Sequence, residues 1–352
     1  MNRKPTIDDV AREAGVARAT VSRVLNSSPN TSERVREKVF KAIAKLGYQV
    51  NHQARQLASG TTRVLALVFA ADAEVEPNSY YHSAIELGAM RSATEFGFGL
   101  VAHTLDPSND DYPAKIVALA SQSRCDGIVL TPPFSDDEKL IGVLLEAGVA
   151  LVLISAGPLT SCLAPSVGID DKEAGLEIGA YLYRQGHRRF GFIGGPSEHR
   201  SAALRLEGLR EALNRTSHSD VSIAVVEGNF TFRSGTELAA QLFDTPDRPT
   251  ALVCANDDMA AGALFTAHKL GLNVPGDISI TGFDDTPVSQ IVWPPLTTVH
   301  QPLRQMGAKA VELLVSACAG ENGAVANEAT EQVVPYELIL RQSTSRESAG
   351  SQ

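Results

Sequence analysis

The chain reads as an α/β protein in three parts: a three-helix helix-turn-helix headpiece, a short linking helix, and a body of two doubly wound parallel-sheet halves. Three observations lead there. The opening stretch holds three runs of helical periodicity with glycine corners. From Arg63 onward, unbroken apolar runs of strand length alternate with helical stretches, as in parallel sheets covered on both faces. Charge is uneven: residues 1–63 hold 12 Lys and Arg against 5 Asp and Glu, a balance of +7, which leaves −17 for the rest of a chain carrying −10 overall. A basic head suits a polyanion and an acidic body avoids one. At 352 residues there is room for both, with two cores in the body.

In the headpiece, Thr6 stands at an N-cap position, Asp8 and Asp9 occupy the first turn, and Ile7, Val10, Ala11 and Ala14 share one helical face. Gly15 supplies the left-handed residue of a tight corner. A second helix, Arg18 to Asn26, buries Val21, Val24 and Leu25 and turns Arg18, Ala19, Ser22 and Arg23 outward. Small residues let that face approach a groove, and two guanidiniums reach base edges or phosphates. A third helix, Glu33 to Leu46, closes the core and stops at Gly47.

The run DDVAREAGVARATVSRVLN, Asp8 to Asn26, resembles the headpiece pattern of the lactose-repressor/galactose-repressor family of bacterial transcriptional regulators. The resemblance implies operator DNA as a partner. It makes Arg18 and Ala19 the variable base-reading positions and Arg23 a base contact, with Thr20, Ser22, Asn26 and Tyr48 on the phosphate backbone; Thr6 and Asn51 join the same DNA-facing set. One departure stands out: the family usually has Ser or Thr at the N-cap of the second helix, where this chain has Ala17. Between head and body, Gln53 to Ala58 is a helix of barely two turns, marginal alone. An exposed Leu in a polar linker needs an apolar destination, and unstacked bases offer one. In the family this is the hinge helix, in which the residue matching Leu57 wedges into the central base step and Ala54 packs against its mate.

In the body, VLALVF, FGLVAHTL, GIVLTP and ALVLIS are the strands of a first half; SVGID, RFGFIGG, SIAVVEG, ALVCAND and ISITGFDD are those of a second. Two such halves imply a cleft. The strings LRLEGL, CANDDMAAGAL, PGDISITGFDD and PPLTTVHQP resemble the sugar-binding fold that the family shares with periplasmic binding proteins. The expected organisation is 1–50 headpiece, 51–62 hinge, 63–341 effector-binding and dimerisation body (63–165 with 300–325, then 166–299 with 330–341), and 342–352 a disordered tail. Residues after Leu340 include no Leu, Ile or Val, so no coiled-coil seam can form there, and a homodimer is expected. The resemblance places Arg205, Asn256 and Asp284 as polar anchors of a small effector, most simply a sugar. Thr131 and Ser155 stand opposite, Phe230 is an aromatic wall, and Ser201, Ile169 and Gln301 are nearby. The family's lactose-responsive member has Asp and Asn where Ser155 and Thr131 stand, so the sugar itself is open. Alternatives are a purine or partner-protein co-effector, or a sugar-binding protein with a vestigial head; Arg18, Arg23 and Leu57 argue against the last.

Enzyme signatures are missing: there is no GxSxG, HExxH, GxxxxGK or GxGxxG. Five Asp-Asp pairs, at 110, 136, 170, 257 and 284, mostly precede helices, where carboxylates cap amides. Four widely spaced cysteines suggest buried thiols and neither a disulfide nor a zinc site; no cofactor is expected. MNRKPTIDD has no apolar export core and no run approaches the 18 or so apolar residues of a span, so a cytoplasmic protein is expected.

Overall fold

A computed structural model describes residues 5–25, 31–48, 62–70, 79–122, 124–215, 221–319 and 327–344. The chain divides into two units, 1–62 and 63–352. In the first, helix α1 (Ile7–Ala14) starts where the Thr6 backbone N–H and hydroxyl both donate to the Asp9 carboxylate, at 2.9 and 2.7 Å. It stops at Gly15, φ 65°. Helices α2 (Arg18–Leu25) and α3 (Glu33–Leu46) follow, and Val10, Val21 and Val39, one from each helix, are fully buried at the centre. The carbonyl of Ala17 accepts from the amides of Thr20 and Val21, so Ala17 holds the N-cap without a side-chain oxygen to offer. Ala17→Ser is expected to stabilise the headpiece by about 1 kcal/mol. A thermal melt showing no gain would mean the orphan amides are already satisfied by water.

In the second unit, β1 (Val64–Ala70), α4 (Ser79–Glu95), β2 (Gly99–Leu105), α5 (Tyr112–Ser121), β3 (Gly127–Leu130), α6 (Glu138–Glu146), β4 (Ala150–Ile154) and β5 (Ser166–Gly168) come first. There follow α7 (Asp171–Arg184), β6 (Arg189–Gly194), α8 (Arg200–Asn214), β7 (Ser222–Glu227), α9 (Phe232–Phe243), β8 (Ala251–Cys254), α10 (Asp257–Lys269) and β9 (Ser279–Thr281). The chain ends with α11 (Pro287–Ile291), β10 (Thr298–His300), α12 (Leu303–Cys318), β11 (Glu331–Val333) and β12 (Glu337–Ile339). The first sheet is parallel, order β11-β5-β4-β3-β1-β2; the second is parallel, order β7-β6-β8-β9; β10 and β12 pair antiparallel on their own. Helix α12 packs on α4, β3 and β4 of the first half.

Two expectations need correction. The sequence reading puts Ser166–Gly168 and 330–341 in the second half; β5 instead pairs with β4, and β11 with β5, in the first sheet, while β12 pairs only with β10. Three residues, Ser-Val-Gly or Glu-Gln-Val, are too few to show a periodicity that would say which sheet edge they join. The tail expected from 342 is ordered at its start: Ser343 and Thr344 are buried. The Ser343 hydroxyl donates to the Ile280 carbonyl at 2.6 Å and accepts from the Thr297 amide, while Thr344 meets the hydroxyls of Thr297 and Tyr181. Residues 345–352 lie outside the described ones.

Cys125 and Cys254 are buried, but Cys162 is exposed. His187 is a structural brace, its ring nitrogens 3.0 Å from the hydroxyls of Thr250 and Ser279. Among the described residues no helix is long and apolar enough to cross a membrane, and no His/Cys/Asp/Glu group is arranged to hold a metal.

Candidate functional site

On the headpiece, Arg18, Ala19 and Arg23 are exposed on α2, and Thr20 and Ser22 are half-buried on its flank. Arg18 stands 3.8 Å from the Asp8 carboxylate across the corner, a loose exposed pair that a phosphate can replace. Tyr48 packs its ring on the headpiece core, and Thr6 is engaged with Asp9. Asn26, Asn51, Ala54 and Leu57 lie outside the described residues.

In the body, the expected ligand positions follow one strand after another. Thr131 comes after β3, Ser155 after β4, Ile169 after β5, Ser201 and Arg205 on α8 after β6, Phe230 after β7, Asn256 after β8, Asp284 after β9 and Gln301 after β10. Carboxyl ends of parallel strands are where open α/β folds bind ligands. Backbone strain collects here too: of five non-glycine residues at positive φ among those described, Ser155, Phe230, Asp284 and Asp285 lie at these strand ends. Each such conformation costs on the order of 1–3 kcal/mol and persists only where the surroundings hold it. Phe230 shows how: its ring lies where any side chain on Gly195 would stand.

Arg205 is more committed than the sequence suggests. Its Nε donates to Asp171 at 2.8 Å, its Nη1 to the Ala255 carbonyl at 2.6 Å, and its guanidinium lies 3.6 Å from the centre of the Phe283 ring. Both partners of the ion pair are buried. Close packing forces the pairing, because the Arg205 carbonyl fills the space where a side chain at Gly175 would be, holding α8 against the helix that carries Asp171. Asn256 is also engaged: its Oδ1 caps α10 through the Met259 amide, and its Nδ2 donates to the Phe230 carbonyl. Thr131 is fully buried and donates its hydroxyl to the Val68 carbonyl. Thr131 stands in the wall, as the sequence reading has it, while Asn256, read as an anchor, has its amide committed to the Met259 amide and the Phe230 carbonyl.

Asp284 and Gln301 remain. Gln301 Nε2 donates to Asp284 Oδ1 at 2.6 Å, while Gln301 Oε1 is buried with no hydrogen-bond partner among the described residues. Burial pushes the Asp284 carboxyl up to about 7, against the opposing pull of Arg205 and Gln301. Ser155 and Ser201 are buried at the rim, as is Ile169.

Four contributors escaped the sequence reading. Tyr81, at the start of α4, hydrogen-bonds the Ser155 side chain, and burial raises its hydroxyl. His82 stacks on Phe69 with ring centroids 4.4 Å apart, and His199 meets Phe230 edge-on at 4.8 Å. Burial lowers both imidazoles to about 4, so they are neutral at pH 7. Asp171 was one of an Asp pair read as caps; Asp170 does cap α7 through the Glu173 amide, but Asp171 turns inward to Arg205. The other pairs divide similarly. Asp137 caps α6. Asp257 is buried, accepting from the amide and hydroxyl of Thr286 and the hydroxyl of Thr298. Asp285 pairs with Arg341 at 2.6 Å.

Residues 6–51 match the model of bacterial regulatory proteins of the lacI family, and residues 180–344 match the periplasmic binding protein-like domain. Catabolite control protein A of Priestia megaterium is 32% identical over 340 residues, covering 96% of this chain and 99% of that protein. The chain belongs to the lacI family of regulators. The HTH-type transcriptional regulator CelR of Thermobifida fusca is 34% identical, over 97% of this chain and 98% of its own. Among solved structures, the lac repressor dimer bound to operator and the anti-inducer ONPF matches with TM-score 0.82 at 29% identity, over 97% of this chain and 99% of that one. A complex of CelR with cellobiose matches with TM-score 0.69 at 31% identity, over 96% and 99%. The family consists of DNA-binding transcriptional regulators and not of enzymes.

Proposed function

We propose that this lacI-family regulator is a repressor, acting in the cytoplasm, whose operator affinity is set by a neutral, hydroxyl-rich effector, a sugar or sugar derivative, held between the halves of the body. The observation that carries the reading is the Asp284–Gln301 pair with its buried Oε1, unpartnered among the described residues, together with the rings of Phe230 and His199, which like Asp284 follow strands of the second sheet. Such acceptors suit hydroxyl donors, and an aromatic face suits the C–H surface of a sugar ring. Asp171 already balances the charge of Arg205, which favours a neutral ligand over an anionic one. The test is a melting-temperature panel on the intact protein, cellobiose first, then other mono- and disaccharides, purine bases and nucleosides. Stabilisation by a purine and by no sugar would replace this reading with the purine one.

DNA contact is assigned to the exposed face of α2. Arg23→Ala is expected to cost roughly 1–3 kcal/mol in operator binding and to relax sequence preference, with the parent losing affinity steeply as salt rises. Equal weakening on all sequences, measured by fluorescence anisotropy, would reduce Arg23 to a phosphate contact. On the family resemblance Leu57 is assigned the central wedge, Ala54 the contact with its mate on the partner hinge helix, and Asn26 and Asn51 the phosphate backbone.

A two-fold operator requires two heads, so the chain acts as a homodimer. The surface for it is apolar and open: Ile291 is 79% exposed and Trp293 77%, on the segment leading out of α11, and the exposed rings of Phe232 and Phe265 form a pair 5.9 Å apart. Trp293→Asp is expected to shift the protein to monomer in sedimentation, whereas deleting 345–352 leaves a dimer. A dimer that survives Trp293→Asp undiminished would move the interface elsewhere.

A further inference from the structure

The two halves of the body meet at the start of α8. The turn Phe134–Asp136 after β3 and the loop after β4 belong to the first half, and α8 to the second. At the start of α8, His199 occupies the N-cap and makes no side-chain cap bond. The cap comes from the other half: the Arg200 backbone N–H donates to Oδ2 of Asp136 at 3.3 Å. The second oxygen of that carboxylate is held within its own half, accepting from the Gly157 amide at 2.7 Å and the Thr160 hydroxyl at 3.5 Å. A side chain at Gly157 would collide with the side chain of Arg200, so the halves touch there without slack. Arg200 in turn pairs with Glu207 one face along α8, at 2.7 Å.

We propose that Asp136 is a positioning residue that caps α8 across the boundary only while the halves are drawn together. Orphan amides at a helix start and its positive dipole end favour a carboxylate. When the halves part, water takes over both groups, so the bond biases closure without locking it. Because α8 carries Ser201 and Arg205, the same bond fixes where those residues stand relative to the first half. A single charge-assisted bond of this kind moves a two-state ratio by roughly tenfold. That suits an equilibrium which an effector must be able to shift. The proposal holds whichever effector fills the cleft.

The test uses the full chain without effector, with Cys162→Ser to remove the exposed native thiol. Spin labels go on cysteines placed at Lys139 of α6 and Arg210 of α8, both exposed and on opposite halves. Pulsed electron resonance then reads the distance between the halves. The parent is expected to show a dominant short distance. In Asp136→Asn the side-chain oxygen keeps the Gly157 amide and turns an N–H toward that of Arg200, so the main peak should move to longer separation. Gly157→Ala, whose methyl meets the Arg200 side chain and stands 3.2 Å from Asp136 Oδ1, should lengthen it too. Thr160→Val removes only a bond inside the first half and should leave the parent distribution. A parent already at the long distance, an unchanged distance in Asp136→Asn, or a Thr160→Val variant as open as Asp136→Asn would each overturn the proposal. Should Asp136→Asn not fold, Gly157→Ala decides it, and an unchanged distance there overturns it.

Discussion

Arg205→Ala is expected to destabilise the body by about 3–5 kcal/mol, the usual cost of breaking a buried ion pair by removing one partner. The loss is large because Asp171 is left buried and unpaired, the Ala255 carbonyl loses its donor, and the cation over Phe283 disappears. Burial already lifts the Asp171 carboxyl above its usual range, with Arg205 the main opposing influence. Urea unfolding checks this, and the headpiece, a separate unit, should keep its own transition. The double variant Asp171→Asn/Arg205→Ala should recover part of the loss, because the carboxylate that Arg205 would leave unpaired is then gone. If Arg205→Ala costs less than about 1 kcal/mol, the guanidinium is a ligand contact and not a keystone of the wall. Loss of effector response in this variant therefore says little about contact; Asp284 and Gln301 are the cleaner probes.

The second large effect concerns Asp284. Its carboxyl sits at about 7 in the folded body against 3.8 for the unreacted reference. A raised folded value means that the folded state holds the proton more tightly than the unfolded chain. Stability from this group is complete below about pH 4 and is lost as pH rises through about 7, amounting to about 4 kcal/mol across the window. Asp284→Asn should thus make the effector-free body more stable than the parent at pH 8 and nearly equal to it at pH 4. Effector binding runs the other way. Hydroxyl donors favour the ionised carboxylate, so affinity should rise up to about tenfold per pH unit until the curve flattens above 7. The His82 and His199 imidazoles, at about 4, do not titrate in that range. Calorimetric titration at pH 6 and 8 reads the effect. A flat affinity profile in the parent, or one that persists in Asp284→Asn, would assign the proton elsewhere. A gain in stability on losing a functional charge is the trade that binding sites commonly show.

Local signals settle at the sequence level whatever depends only on neighbours along the chain. Gly15 and Gly47 end helices because a left-handed residue is needed there, and Ala17 betrays a missing cap because capping spans only three residues. Alternation of apolar runs with helical stretches fixes two parallel-sheet halves, and places the candidate polar residues just after strands. The exposed Arg18 and Arg23 follow from helical periodicity alone. What those side chains do with their polar atoms is decided only in three dimensions. Arg205 and Asp171 are 34 positions apart, and Asn256 spends its amide on the loop of Phe230. Three-residue strands such as β5 and β11 choose their sheet by pairing with distant chain, and Ser343 and Thr344 are ordered because Ile280, Thr297 and Tyr181 satisfy their hydroxyls. Burial, hydrogen-bond partners and the resulting proton affinities depend on what packs around a group, and a linear pattern records only how often an apolar face recurs.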